Sequence, residues 1–142
     1  MHDASNRRRA GFTIIELLIV VAIIGLIAAL AIVGMKAGGE KRLDVKRVSD
    51  VGQLQKALGL YVTTEKVYPI YTGCVNGTTD LVSTELHSKG SIGPGTIIKD
   101  PAFPTDITKC FYYASNGSTY TIRYTLQSDS SAGTAGDHTV AP

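Results

Sequence analysis

Hydrophobic positions along the chain divide it sharply. From Phe12 to Met35 only Thr13, Glu16, Gly25 and Gly34 stand outside the hydrophobic set, and Leu17 to Met35 carries no charge. At ~1.5 Å per helical residue, a run of about 24 residues reaches ~36 Å, enough for a hydrocarbon core of ~30 Å. The pattern therefore predicts one membrane-spanning helix over residues 12–35. Past it the pattern becomes amphipathic. Leu43, Val48, Val51, Leu54, Leu58 and Tyr61 recur at the spacing of one helical face. This predicts that the helix continues through residues 36–64. Lys46, Arg47 and Asp50 are read as its solvated side, with Lys46–Asp50 and Arg47–Asp50 as supporting pairs.

Residues 65–142 read as a small β-containing head. Pro69 fits a helix that has ended a few residues earlier. Residues 70–109 show little periodicity. Thr79 to Leu86 is a candidate short helix, Gly90 to Gly95 a loop, and Pro101 and Pro104 mark turns. Phe111 to Ser115 and Ser118 to Gln127 read as a hairpin around Asn116-Gly117, a type I′ turn signal. Thr119, Thr121, Arg123 and Thr125 alternate with Tyr120, Ile122, Tyr124 and Leu126. One wet face and one packed face follow, as for a sheet lying on the helix. The fold class is thus α+β: a long N-terminal helix, membrane-spanning in its first half, packed on a small antiparallel sheet. The tail, Ser128 to Pro142, is small and polar and is read as disordered.

Charge changes the picture at one end only. The net charge of +2 comes from residues 1–11, where Arg7, Arg8 and Arg9 lie; without them the acidic and basic counts are equal. Nucleic-acid binding is not indicated. The arginines hold the N-terminus in the cytoplasm and send the rest outside. In that compartment the two cysteines, Cys74 and Cys110, are read as a disulfide. A secretory signal peptide is the plainer reading of a basic start and an apolar run, but this run exceeds the ~7–15 residues of such segments. A plain anchor is another, and neither accounts for Glu16. A lone carboxylate in a membrane helix costs a few kcal/mol. Glu16 is either a helix-end acid that reaches the headgroups or one with a cationic partner.

The residues around it favour the partner. Arg7-Arg8-Arg9-Ala10-Gly11-Phe12-Thr13-Ile14-Ile15-Glu16, followed by Leu17 to Gly25, resembles the processing site of the type IV pilin superfamily. The resemblance implies a cleaved leader, residues 1–11, cut between Gly11 and Phe12 by a prepilin peptidase, with N-methylation of Phe12. It implies a helical filament of copies of the chain, built at an inner-membrane assembly platform driven by a separate ATPase. It also makes the Phe12 amine of a neighbouring copy the partner for Glu16, a pair that sets register more than it adds stability. Many family members carry a proline near the end of the apolar stretch. Here Val33 and Gly34 stand there, so no proline kink is expected, while Gly34 and Gly38-Gly39 weaken the helix locally.

Three functions follow from this. The first is the structural subunit of a type IV pilus-like filament, exposed at the cell surface. The second is a major pseudopilin of type II secretion, acting in the periplasm; Leu58 to Tyr61 and Val67-Tyr68-Pro69 resemble the helix end of that group. A third, of another class, is a membrane-anchored binding domain that does not assemble. Secretion-type members bind calcium in a C-terminal loop, and Asp129 and Asp137 are the only candidates here, in no recognised spacing. The Cys pair and the poor calcium loop lean toward the pilus. No cofactor is otherwise called for. The sequons at Asn76 and Asn116 are read as turns, and His2, His87 and His138 have no metal-ligand spacing. No nucleophile with a paired base and no phosphate fingerprint occurs, so an enzyme is not expected.

Overall fold

The computed structural model describes residues 12–142, with the backbone alone for 33–37. The chain forms two compact units that divide between Lys36 and Ala37. Helix α1 runs from Ile14 to Glu65, through the glycines expected to weaken it. Within the first unit, Ile14–Ile32 is long and apolar enough to cross a membrane, and none of it is buried. The helix ends at Lys66, whose φ of 66° is left-handed. The Lys66 amide donates to Val62 O at 3.0 Å, and its ammonium donates to Thr63 O at 2.6 Å. Two of the orphan carbonyls of the last turn are thereby satisfied.

The second unit holds the rest of α1, a short helix α2 (Leu81–Ser88), and four strands: β1 (Thr72–Val75), β2 (Phe111–Ser115), β3 (Tyr120–Leu126) and β4 (Gly136–Val140). The strands form one antiparallel sheet in sequence order. Helix α2 starts two residues later than expected because Asp80 is its N-cap, accepting from Ser83 N at 2.9 Å. Val51, Leu54, Ala57, Leu58 and Tyr61 of α1 share one core with Phe111, Tyr113, Ile122 and Leu126 of the sheet and Val82 and Leu86 of α2. Leu58 and Ile122 are wholly enclosed, each side chain contributing roughly 1.5–3 kcal/mol on burial. Strand β3 alternates as expected, with Tyr120, Ile122, Tyr124 and Leu126 inward.

Three expectations are corrected. The tail is not disordered: β4 pairs with β3 from Ile122↔Val140 to Leu126↔Gly136. Its side chains stay largely exposed, so no apolar alternation marks it, and the open backbone edge of β3 recruits it. His138 stacks on Tyr124 with centroids 5.5 Å apart. The hairpin does not turn at Asn116-Gly117 alone. Ser115 pairs with Tyr120, leaving a four-residue loop in which Asn116 Oδ1 accepts from the amides of Ser118 and Thr119. Asn116 keeps a negative φ, so the type I′ geometry is not formed. Third, the charged run of α1 is not a solvated face. Lys46 does bond Asp50 at 2.6 Å, but Asp44 and Arg47 are fully buried and Asp50 nearly so.

Candidate functional site

The segment expected from the sequence to be processed and to assemble lies at the start of α1. Phe12 is 73% exposed, and the large apolar side chains from Ile14 to Ile32 are between 41% and 82% exposed. A surface of that extent needs lipid or other protein to cover it. Thr13 caps the helix: its Oγ1 accepts from the Glu16 amide at 3.3 Å, and its carbonyl accepts from Glu16 N and Leu17 N. Thr13-Ile14-Ile15-Glu16 thus has the spacing of a capping box. An acid in the first turn also faces the positive end of the helix dipole, worth ~0.3–1 kcal/mol when exposed. This local role for Glu16 was readable from the Thr-x-x-Glu spacing ahead of the apolar run and was missed. None of the ion pairs among the described residues includes Glu16. The leader with Arg7–Arg9 and Gly11 lies outside the described residues.

In the second unit, Cys74 and Cys110 are joined by a disulfide, Cα–Cα 5.5 Å, across a sequence separation of 36. It closes the base of the long β1–β2 connection. Asp129 and Asp137 are not brought together as ligands. Asp129 Oδ1 accepts from Ala135 N at 2.8 Å, shaping the turn before β4. Asp137 Oδ1 accepts from Thr125 Oγ1 at 2.6 Å, a cross-strand bond in the β3–β4 pair. Among the described residues, no group of three or more metal-ligating side chains is assembled.

The charged group that the sequence hid is Asp44–Arg47–Asp100. Arg47 Nε donates to Asp100 Oδ2 at 2.8 Å and Nη2 to Asp100 Oδ1 at 3.2 Å, a bidentate pair; Nη1 donates to Asp44 Oδ1 at 2.6 Å. Asp44 also accepts from Gln127 N, Ser128 N and Ser128 Oγ, all within 3.0 Å. Burial pushes the Asp44 carboxyl up, but the bonds from Gln127, Ser128 and Arg47 outweigh it and hold it below the usual carboxylate range. Burial likewise opposes the Arg47 charge, and Asp100 ahead of Asp44 overcomes it, raising its pKa. The group ties α1 to the end of β3 and to the later part of the β1–β2 connection.

Residues 6–32 match the family described as the prokaryotic N-terminal methylation motif. The chain is 36% identical over 64 residues to the type II secretion system core protein G of Aeromonas hydrophila, covering 45% of each protein. It is 30% identical over 106 residues to the core protein G of Pectobacterium carotovorum, covering 74% of this chain and 60% of that one. With the core protein G of Klebsiella pneumoniae it shares 30% identity over 98 residues, 69% of this chain and 70% of that protein. The chain belongs to the type II secretion system core protein G family. Its matches to the Aeromonas and Pectobacterium proteins span about half of those proteins' length. No solved structure matches it significantly. As a core protein G family member the chain is pilin-like: an apolar N-terminal helix followed by an α+β head with a four-stranded antiparallel sheet. The Cys74–Cys110 bond and the buried Asp44–Arg47–Asp100 group both lie in residues 37–142 of this chain.

Proposed function

We propose that this chain is the major subunit of a type II secretion pseudopilus. A prepilin peptidase cuts between Gly11 and Phe12 and methylates the new amine. Residues 12–142 then wait in the inner membrane, N-terminus cytoplasmic, until the secretion machinery packs them into a periplasmic filament. The observation that carries this is the coincidence, in one chain, of the methylation motif over residues 6–32 with core protein G relatives that extend through most of its length. The head is a structural coat and not an enzyme. The surface-pilus alternative rested partly on the cysteine pair, which does not discriminate, because the periplasm and the cell exterior are both oxidising.

Glu16 has two jobs in this reading. Its place in the first turn favours the helix start, and its carboxylate accepts the Phe12 amine of a neighbour, fixing register in a low-dielectric bundle. The test is the Glu16→Ala chain, expressed with the peptidase and the secretion machinery. N-terminal sequencing is expected to find cleavage after Gly11 as before, while electron microscopy finds filaments largely lost. Normal filaments from that variant would refute the charge pairing. An uncut chain, or unaltered chain found only as dispersed monomers, would refute the filament-subunit reading and leave the membrane-anchored domain.

A further inference from the structure

The head carries two unexplained surface features at opposite ends of β3. At the Leu126 end is a short turn-rich loop, residues 101–109, that is held at several points. Asp100 is clamped by Arg47, Cys110 is in the disulfide, and Lys109 Nζ donates to Gln127 Oε1 at 2.7 Å. Inside the loop, Asp106 N donates to Ala102 O, and the Thr108 amide and Lys109 amide return to Asp106. Within it Ile107 is 74% exposed, more than any other large apolar side chain described in residues 37–142. A fixed loop that holds an isoleucine in water presents a docking knob. Beside it sits the Asp106 carboxylate, 40% exposed; its Oδ1 accepts from the Thr108 amide and hydroxyl, and its Oδ2 faces Lys109 at 3.5 Å, which leaves Oδ2 the oxygen open to a second cation.

At the Tyr120 end is an open groove of about 510 Å³ along α1. Gly52 and Gly59, two helical turns apart on one face, leave its floor without side chains, and a Cβ at either would meet nothing within 4 Å. Tyr68 and Tyr120, edge to face at 4.8 Å, wall it. Lys56 lies on its rim and forms no ion pair among the described residues. Knob and groove differ in charge as well as shape, Asp106 against Lys56. Roughly seven residues of β3 separate them, about 23 Å at strand rise. They therefore cannot meet within one head.

We propose that the Ile107 knob of one head seats in the Gly52–Gly59 groove of the next copy of this chain, with Asp106 facing Lys56. The contact is heterologous: two different patches mate, so repetition does not close on itself and generates an open, helical array. The occupant is a second copy because the chain belongs to a pilin-like family and carries both complementary halves on one head. The proposal rests on the filament-subunit reading above and adds an axial head-to-head contact to association through the apolar helices.

The test uses the full chain with its peptidase and secretion machinery. Ile107→Cys combined with Gly59→Cys is expected to give ladders of covalently linked subunits with a short bis-thiol reagent, whereas either single variant and the pair Thr121→Cys with Gly59→Cys give none. Lys56→Glu is expected to lower filament yield at least about tenfold, because like charges then face each other across the contact. Lys56→Glu with Asp106→Lys is expected to restore it, which a folding defect would not. N-terminal cleavage and Cys74–Cys110 pairing report that each variant is processed and folded. Filaments from the unaltered chain with no Ile107–Gly59 ladder, or a Lys56→Glu loss that the swap does not rescue, overturn the contact and leave the subunit reading standing. No filaments from the unaltered chain overturn both.

Discussion

Arg47→Met is the perturbation that tests the buried charged group most directly. Methionine keeps much of the volume and removes three charge-assisted bonds, two to Asp100 and one to Asp44. The two carboxylates are not stranded equally. Asp44 keeps the amides of Gln127 and Ser128 and the Ser128 hydroxyl. Among the described residues the Asp100 carboxylate keeps only the Ala102 amide at 2.8 Å. Removing one partner of a buried pair costs ~3–5 kcal/mol, since a charge is left uncompensated. Most of that loss is expected at Asp100. For a domain stable by ~5–15 kcal/mol this is a large fraction. Guanidinium unfolding of the full chain in detergent, followed by near-ultraviolet circular dichroism of its seven tyrosines, measures it. Adding Asp100→Asn to Arg47→Met keeps an acceptor for Ala102 and removes the charge, and about 1–3 kcal/mol is expected to return. A loss below ~1 kcal/mol for Arg47→Met, or no recovery in the double variant, would refute the uncompensated-charge account.

Other expectations follow from the same structure. Replacing Cys74 and Cys110 by Ser together frees a loop of sequence separation 36 in the unfolded chain and is expected to cost about 4 kcal/mol, read as a lower unfolding midpoint with little change in the folded spectrum. The folded-state pKa of Asp44 lies below its ordinary 3.8. Its contribution is therefore present above that value and lost as pH falls through the lower, folded one; an unfolding series below about pH 4 should show a steep acid limb that Asp44→Asn flattens. Tyr113, whose hydroxyl donates to Pro69 O at 2.9 Å, is pushed up to about 12, chiefly by burial. Its neutral form contributes stability below about pH 10 that is lost toward pH 12, and Tyr113→Phe should weaken that alkaline decline in the same unfolding assay.

Local sequence carried the parts of this protein whose physics is local. The apolar helix from Ile14 to Ile32 follows from a hydrophobic run interrupted only by Glu16 and Gly25, and the helical face through Val51, Leu54 and Leu58 from a 3.6-residue period. The inward side of β3 follows from strict alternation. The N-terminal methylation motif over residues 6–32 was legible for the same reason: it is written in contiguous residues. Tertiary structure alone decided the rest. Arg47 looked like a surface cation because a buried charge inverts the rule that polar residues face water, and what permits the inversion is Asp100, 53 residues away. Asp44 answers to Gln127 and Ser128, more than 80 residues on. Strand β4 has only a half-buried inner face, His138 and Val140, too short and too polar to advertise a strand, and it is held by the backbone edge that β3 offers, a property of the assembled sheet that Gly136 to Val140 cannot encode alone.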